Sequence, residues 1–455
     1  MRYNPQSPAV LTPVAHGVLY DALFTLAARM FNVLGLLAVG VLTARALGPA
    51  GKGLYALPVV QAGIVSTIFA GLSSATSYYL LTGKAGRNVI APSTIAMLLF
   101  VLASAIAVVP IAVLGHAFWA APAAIASLPA TALVNVVTGY VVGTKRVRAA
   151  ATLALVTTAA TFVFTVAGFV LVTRAPFVAI AAWIASTTLV AAGAWAIVLR
   201  DARRLERGSP VPVGAYARMA LKVGATSLVT LLNYRADLYI VAILLPPAEL
   251  GLYSVATSVP QSLLLPTQVA ATVTTPHIGS LERGAAGRLA ARCVRNNLLA
   301  ALLLSAALFV FAPFLIELFY GAAFLPLVPA LRILLIGVVA LALGSPVSTY
   351  YTLKLAKPEV PLILAGASAA ICIAASLVLV PRIGIQGAAL ASTAAYIVGQ
   401  ALGLIYFARS TGIAMRTILV PTYDDVRLYG TFLHQLYRDG ARFFAPRLDP
   451  GAKTP

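Results

Sequence analysis

The chain has 455 residues, of which 61% are hydrophobic and 10% charged. Soluble domains carry about 25% charged residues, so the composition excludes an ordinary soluble protein and points to a membrane one. Two cysteines, Cys293 and Cys372, exclude a disulfide framework or a thiolate metal cluster. The net charge of +20 raises nucleic acid as a partner, but the placement of the charge argues otherwise.

About twelve apolar stretches are long enough to span a bilayer, which takes roughly 20 residues each. They lie near 22–44, 54–80, 91–113, 117–142, 150–172, 178–199, 223–244, 251–275, 296–317, 327–352, 360–380 and 386–408. The first is too long for a signal peptide and has a counterpart at 223–244, so it is structural. An even number of spans puts both termini on one side. The N-terminal tail, the loops after even-numbered spans and the C-terminal tail hold 25 of the 32 Lys and Arg residues. The opposite loops hold Arg45, Lys52, Arg174 and Arg382, and Arg29, Arg235 and Arg332 fall inside spans. By the positive-inside rule both termini are cytoplasmic. The basicity is therefore topological, and no nucleic-acid partner is expected.

The first hairpin reads "LGPAGKGLY" (47–55). It looks like a phosphate-binding loop but fails the motif, with Ala46 where the first glycine belongs and Gly53 where Ser or Thr belongs. Residues 245–253, "LPPAELGLY", match it at six of nine positions at an offset of 198. A second echo pairs "LVTRAPFVAIAAWIAST" (171–187) with "LVPRIGIQGAALAST" (379–393). Each half thus carries six spans in the same orientation, a parallel repeat about an axis along the membrane normal. The expected fold is all-α and polytopic, with two six-helix lobes. The expected divisions are a cytoplasmic tail (1–20), an N-terminal lobe (21–200), a cytoplasmic linker (201–222), a C-terminal lobe (223–409) and a cytoplasmic tail (410–455). The 47–55 stretch is then an external turn, or part of a gate. Pro49 and Pro247 are expected to end a helix, and Gly53 and Gly251 to sit where the next begins.

Two equal lobes usually enclose a substrate path at their interface, which points to a transporter. The other-class alternative is a membrane glycosyltransferase or polymerase. No metal-ligand spacing or nucleophile–base arrangement supports it, and His116 on the outer side reads as a turn residue.

The hairpins also resemble a family. "LLAVGVLTARALGPAGKGLYAL", "NYRADLYIVAILLPPAELGLYSVA" and "PRIGIQGAALASTAAYIVG" are similar to the first, seventh and last hairpin signatures of Wzx-type polysaccharide flippases. These belong to the multidrug/oligosaccharidyl-lipid/polysaccharide exporter superfamily. The resemblance covers roughly 20–410 and leaves 411–455 unmatched. It implies a V-shaped, alternating-access transporter of the bacterial inner membrane. The implied cargo is an undecaprenyl-pyrophosphate-linked glycan, and other polysaccharide-assembly proteins are implied partners alongside membrane lipids. A lipid II flippase or a drug/cation antiporter of the same superfamily is the alternative.

Ionisable groups within spans are candidate functional residues. On the first span Thr25, Arg29, Asn32 and Thr43 fall near one face, with Asp21 at its mouth. Arg29 either snorkels or faces a cavity with Asn32. On the seventh span Thr226, Thr230, Asn233 and Asp237 form one stripe. Arg235 lies about 200° round from Asp237, so the two cannot form a simple intrahelical pair. Arg235 needs a partner on another helix, or the helix is irregular. On the eighth span Ser254, Ser258, Gln261, Gln268 and Thr272 share a face, and Pro260 and Pro266 break the ladder. Arg332 is a snorkelling residue or an outer-mouth cation. The segment 425–444 fits an interfacial helix or a packing helix equally well.

The candidate cargo-binding set is Arg29, Asn32, Arg235, Gln261 and Gln268. Asp237 and Asn233 are the ion-coupling candidates. Three span arginines against one well-embedded acid favour an anionic cargo such as a pyrophosphate. No cofactor is expected. With no nucleotide motif, the energy source is an H⁺ or Na⁺ gradient or the membrane potential, worth about 2.3 kcal/mol per charge per 100 mV. Asp237 is either the coupling carboxylate or one end of a fixed salt bridge.

Overall fold

The computed structural model describes residues 13–115 and 118–422, apart from the side chains of 13–23 and of seven residues between 266 and 277. His116 and the 425–444 segment lie outside the described residues, as do the side chains of Asp21 and Thr272. Among the described residues the fold is all-helical. The N-terminal half comprises α1 (Pro13–Ser66), α2 (Ala70–Leu81), α3 (Ile90–Leu114), α4 (Ala121–Gly143), α5 (Val147–Leu171) and α6 (Pro176–Ala202). The C-terminal half comprises α7 (Val213–Leu244), α8 (Pro247–Ser262), α9 (Leu265–Ser280), α10 (Arg283–Tyr320), α11 (Val328–Leu341), α12 (Gly344–Thr349) and α13 (Glu359–Thr411). A short α14 (Met415–Leu419) follows.

Nine helical stretches among the described residues are long and apolar enough to cross a membrane. Two of them are kinked hairpins that each cross twice. α1 breaks at Gly48 (φ 66°, ψ −179°), and α13 breaks at Ile383 and Gly384 (φ 61° at the glycine). The broken pair α8–α9 adds one more crossing, which recovers the twelve spans read from the sequence.

The turns differ from expectation in one respect. Pro49 and Pro247 start helices instead of ending them, so Gly53 and Gly251 lie one turn inside the new helices and not at their start. Gly48 makes the first break with a positive φ. Leu245 and Pro246 make the second in extended conformation, with Pro247 at the first helical position. The reason is that proline's ring presets a helical φ and its missing N–H is not needed in the first turn. α8 ends at Ser262, between Pro260 and Pro266, close to the expected break. α7 begins at Val213, well inside the stretch expected to be linker.

The outer surface is apolar. On α3, Leu98, Leu102 and Ile106 are each at least 60% exposed and four residues apart, one stripe facing lipid. Hydroxyl groups on the helices mostly donate to a carbonyl three or four residues earlier, as Thr76 does to Leu72 and Thr165 to Thr161. This satisfies them without water. The halves share a core. Ala44 and Leu57 of α1 pack with Leu238 of α7, Tyr253 of α8 and Leu331 of α11. A second core joins Leu72 of α2 to Tyr216 and Ala220 of α7.

Candidate functional site

The two halves meet at the hairpin end of the molecule through their repeated turns, and again where α2 packs on α7, a Cβ added at Gly71 lying 1.8 Å from the Ala220 carbonyl oxygen. A Cβ added at Gly53 would lie 1.6 Å from the Pro247 carbonyl oxygen, and one added at Gly251 would lie 2.0 Å from that of Pro49. Gly251 and Pro247 stand 198 residues after Gly53 and Pro49, the repeat offset. Each turn therefore offers its glycine to the other's proline carbonyl, the reciprocity of a two-fold contact. No side chain fits there, which is the physical reason for glycine at both positions. Arg45 of α1 reinforces the closure. Its Nε donates to the Phe319 carbonyl at 2.8 Å and its guanidinium also reaches the Leu318 carbonyl, at the C-terminal end of α10. Those carbonyls have no intrahelical partner and carry the negative end of the helix dipole.

Lys52, expected in an outer loop, is instead buried (8% exposed). Its Nζ donates to Thr43 Oγ1 at 2.7 Å and sits 5.2 Å from the centre of the Tyr55 ring. Sequence reading missed it because a hairpin lysine normally faces water.

Asp237 is 2% exposed. Its Oδ2 accepts from the Tyr253 hydroxyl at 2.5 Å and the Ser392 hydroxyl at 2.6 Å, and its Oδ1 accepts from the Leu238 N–H at 2.8 Å. Ser392 in turn lies 3.5 Å from Cys372 Sγ. The cluster ties α7 to α8 and α13. No lysine or arginine lies within 4.0 Å of Asp237 among the described residues, so the fixed salt bridge envisaged from sequence is not formed. Hydroxyl and amide dipoles surround the acid in its place.

The other candidates are dispersed. Arg29 is exposed on α1. Asn32 accepts a 2.6 Å hydrogen bond from Thr158 of α5, within its own half. Arg235 is partly buried and has no ion pair among the described residues, so the expected partner on another helix is not found. Gln261 donates to the Tyr234 carbonyl at 3.2 Å. Arg332 donates to the Phe309 carbonyl at 3.1 Å, with its guanidinium 4.9 Å from the centre of the Phe309 ring.

Asn233 and Gln268 do come together. Both line a cavity of about 530 Å³ inside the C-terminal half, walled by α7, α9, α12, α13 and a π-helical turn at Tyr350–Lys354. An apolar groove of about 670 Å³ lies between the halves, from Leu34 and Val41 of α1 across to Val259 of α8 and Phe319 of α10.

No protein-family profile matches the sequence, and no curated protein matches it. Solved structures do. A multidrug resistance MATE family transporter of the MOP superfamily, in an inward-facing conformation, superposes with a TM-score of 0.71 at 18% identity, covering 86% of this chain and 98% of that one. Lipid II flippase MurJ, inward closed, gives 0.68 at 15% identity over 90% and 92% of the chains. A MOP superfamily transporter from Pyrococcus furiosus, described by the reverse polarity of its binding pocket, gives 0.61 at 18% identity over 87% and 95%. An outward-facing MATE structure gives 0.60 at 17% identity over 87% and 95% of the chains. At these identities the likeness establishes architecture: the chain has the helical fold of the MOP superfamily transporters.

Proposed function

We propose that the chain is a flippase. It moves an undecaprenyl-pyrophosphate-linked oligosaccharide from the cytoplasmic to the outer leaflet of a bacterial inner membrane, by alternating access of two six-helix lobes. Both termini are cytoplasmic in this reading, so the hairpin end is the outer end and the state described above is closed to the outside. Membrane lipids surround it, and polysaccharide-assembly proteins are its natural partners. It is a transporter and not an enzyme.

The disposition of charge carries the choice of cargo. Arg29 and Arg235, inside spans, have no ion-pair partner among the described residues. Asp237 is enclosed by hydroxyl groups and shows almost no surface. Guanidinium groups outside any close ion pair among the described residues, and a hidden acid, suit a pyrophosphate, which arginine binds bidentately, better than a cationic drug. One structural neighbour is a lipid II flippase, and another is named for the reverse polarity of its binding pocket. A lipid II flippase is the nearest alternative. A drug/cation antiporter would need an acid displayed to its cargo.

Asp237 is the coupling site for H⁺ or Na⁺ in this reading. A carboxylate held by two hydroxyl groups and an amide exchanges a proton or a cation without breaking a salt bridge. Purified protein in liposomes should move a fluorescent polyprenyl-pyrophosphate glycan between leaflets. Sugar-chain extension without movement would overturn the reading in favour of a glycosyltransferase or polymerase.

A further inference from the structure

The cavity inside the C-terminal half has a composition unlike either kind of site invoked so far. None of its described lining residues is charged. Three carboxamides face it, Asn233 of α7, Gln268 of α9 and Gln400 of α13, together with the hydroxyl-bearing Ser348 and Thr349 of α12. Asn233 is 7% exposed, and its side-chain carbonyl oxygen has no hydrogen-bond partner among the described residues. An unpaired buried amide oxygen calls for an explanation, and its position at the wall of this cavity is compatible with a ligand that reaches it. The wall also includes a π-helical turn at Tyr350–Lys354 that places Tyr351 and Thr352 on the lining. Such turns are frequent at functional sites.

The chemistry narrows the ligand. Without a guanidinium or ammonium group the cavity does not suit a pyrophosphate, and without a carboxylate it does not suit an organic cation. At about 530 Å³ it is far larger than the oxygen cage of a single metal ion. Carboxamides and hydroxyl groups both donate and accept, which matches a ligand whose hydroxyl groups also do both. Tyr234 on the lining, 38% exposed, offers apolar ring surface to the C–H face of a pyranose.

We propose that this cavity binds uncharged sugar residues. The inference rests on the flippase reading and deepens it: the carried glycan includes neutral sugar, held in the C-terminal half apart from the arginines that take the pyrophosphate.

The test is saturation-transfer NMR on the full chain in nanodiscs, with maltotriose and chitobiose as neutral probes and digalacturonate as an acidic one. The neutral sugars should bind and the uronate should bind far more weakly. Asn233→Leu and Gln400→Ala should each weaken neutral-sugar binding about fivefold to tenfold, the worth of one or two neutral hydrogen bonds. Ser104→Ala, in the other half, should change nothing. Gln400 is less buried than Asn233, so Gln400→Ala keeps the test decisive if Asn233→Leu does not fold. Absence of neutral-sugar binding, equal binding of the uronate, or binding untouched by both substitutions overturns the site. The liposome assay separates the two readings. Movement of the lipid-linked glycan without neutral-sugar binding sinks the site and leaves the flippase. Neutral-sugar binding without movement does the reverse.

Discussion

The two halves share a repeat but bury opposite charges. Tyr55 and Tyr253 are the same repeat position, 198 residues apart. In the N-terminal half Tyr55 packs against buried Lys52, which is held by Thr43. In the C-terminal half Tyr253 donates to buried Asp237. The second echo diverges in the same way: Ser186 meets the neutral Thr161 at 3.0 Å, and its counterpart Ser392 meets Asp237. Lys52 is replaced by Leu250 at the repeat offset, and Asp237 by Val39. What stays symmetric is the reciprocal glycine contact at the hairpin end. The lesson is a division of labour. The shared backbone turns bring the halves into contact, and the unshared buried charges set them apart.

Breaking the symmetric part should have the largest effect. Gly53→Val puts a branched side chain where even a Cβ meets the Pro247 carbonyl oxygen. The hairpin end should then fail to close, and glycan movement in liposomes should be lost although the protein still purifies as a monodisperse species. Gly251→Val should do the same from the other side. Wild-type movement by either variant would mean that this contact is not part of the cycle.

Substitutions at the acid come next. Asp237→Asn keeps an acceptor for Tyr253 and Ser392, so stability should fall by no more than about 1–3 kcal/mol. The response of transport to an imposed pH or sodium gradient should vanish while cargo binding persists. An Asp237→Asn variant that still tracks the gradient would remove Asp237 from coupling.

Arg29 is smaller still in structural terms, because it is exposed. Arg29→Ala should lower cargo movement severely with an unchanged melting temperature. Arg29→Lys should recover only part of it, since ammonium lacks the planar fork. Normal transport by Arg29→Ala would return this residue to snorkelling. The least effect is expected at the buried cation. Lys52→Met removes the hydrogen bonds to Thr43 Oγ1 and the Gly40 carbonyl but also relieves the burial of a charge, so stability should change within about 1 kcal/mol, as thermal unfolding in detergent would measure. A loss of gradient response in Lys52→Met would show that both buried charges serve coupling and would blur the contrast between the halves.

The crossings and the repeat were legible because both are written in local sequence: apolar runs of bilayer length, and "LGPAGKGLY" echoed by "LPPAELGLY". The break near Pro260 and Pro266 was legible for the same reason. The partners of Asp237 were not. Tyr253 is 16 residues away and Ser392 is 155 away, and helical periodicity fixes only the direction in which a side chain leaves its own helix. Charge alone points to arginine as the partner of Asp237, whereas in the fold hydroxyl groups on two other helices meet it. The same limit hid Lys52, whose burial arises from packing between hairpins. Of the cargo candidates, Gln268 and the neighbouring Asn233 reach a common cavity. Asn32 and Gln261 are taken up by Thr158 and the Tyr234 carbonyl, bonds that no spacing reveals.

The central claim is that the hairpin end opens and closes. Ala50 and Ala248 are repeat mates, one on each hairpin. Spin labels at Ala50→Cys and Ala248→Cys, with buried Cys293 and Cys372 replaced by serine or alanine, report the separation of the two turns by double electron–electron resonance. The account predicts a single short distance for the resting protein in nanodiscs. It predicts a second, longer population when polyprenyl-pyrophosphate glycan is added under a proton or sodium gradient, and loss of that population in Asp237→Asn. One unchanging short distance under every condition, in a protein shown to move its cargo, would contradict it.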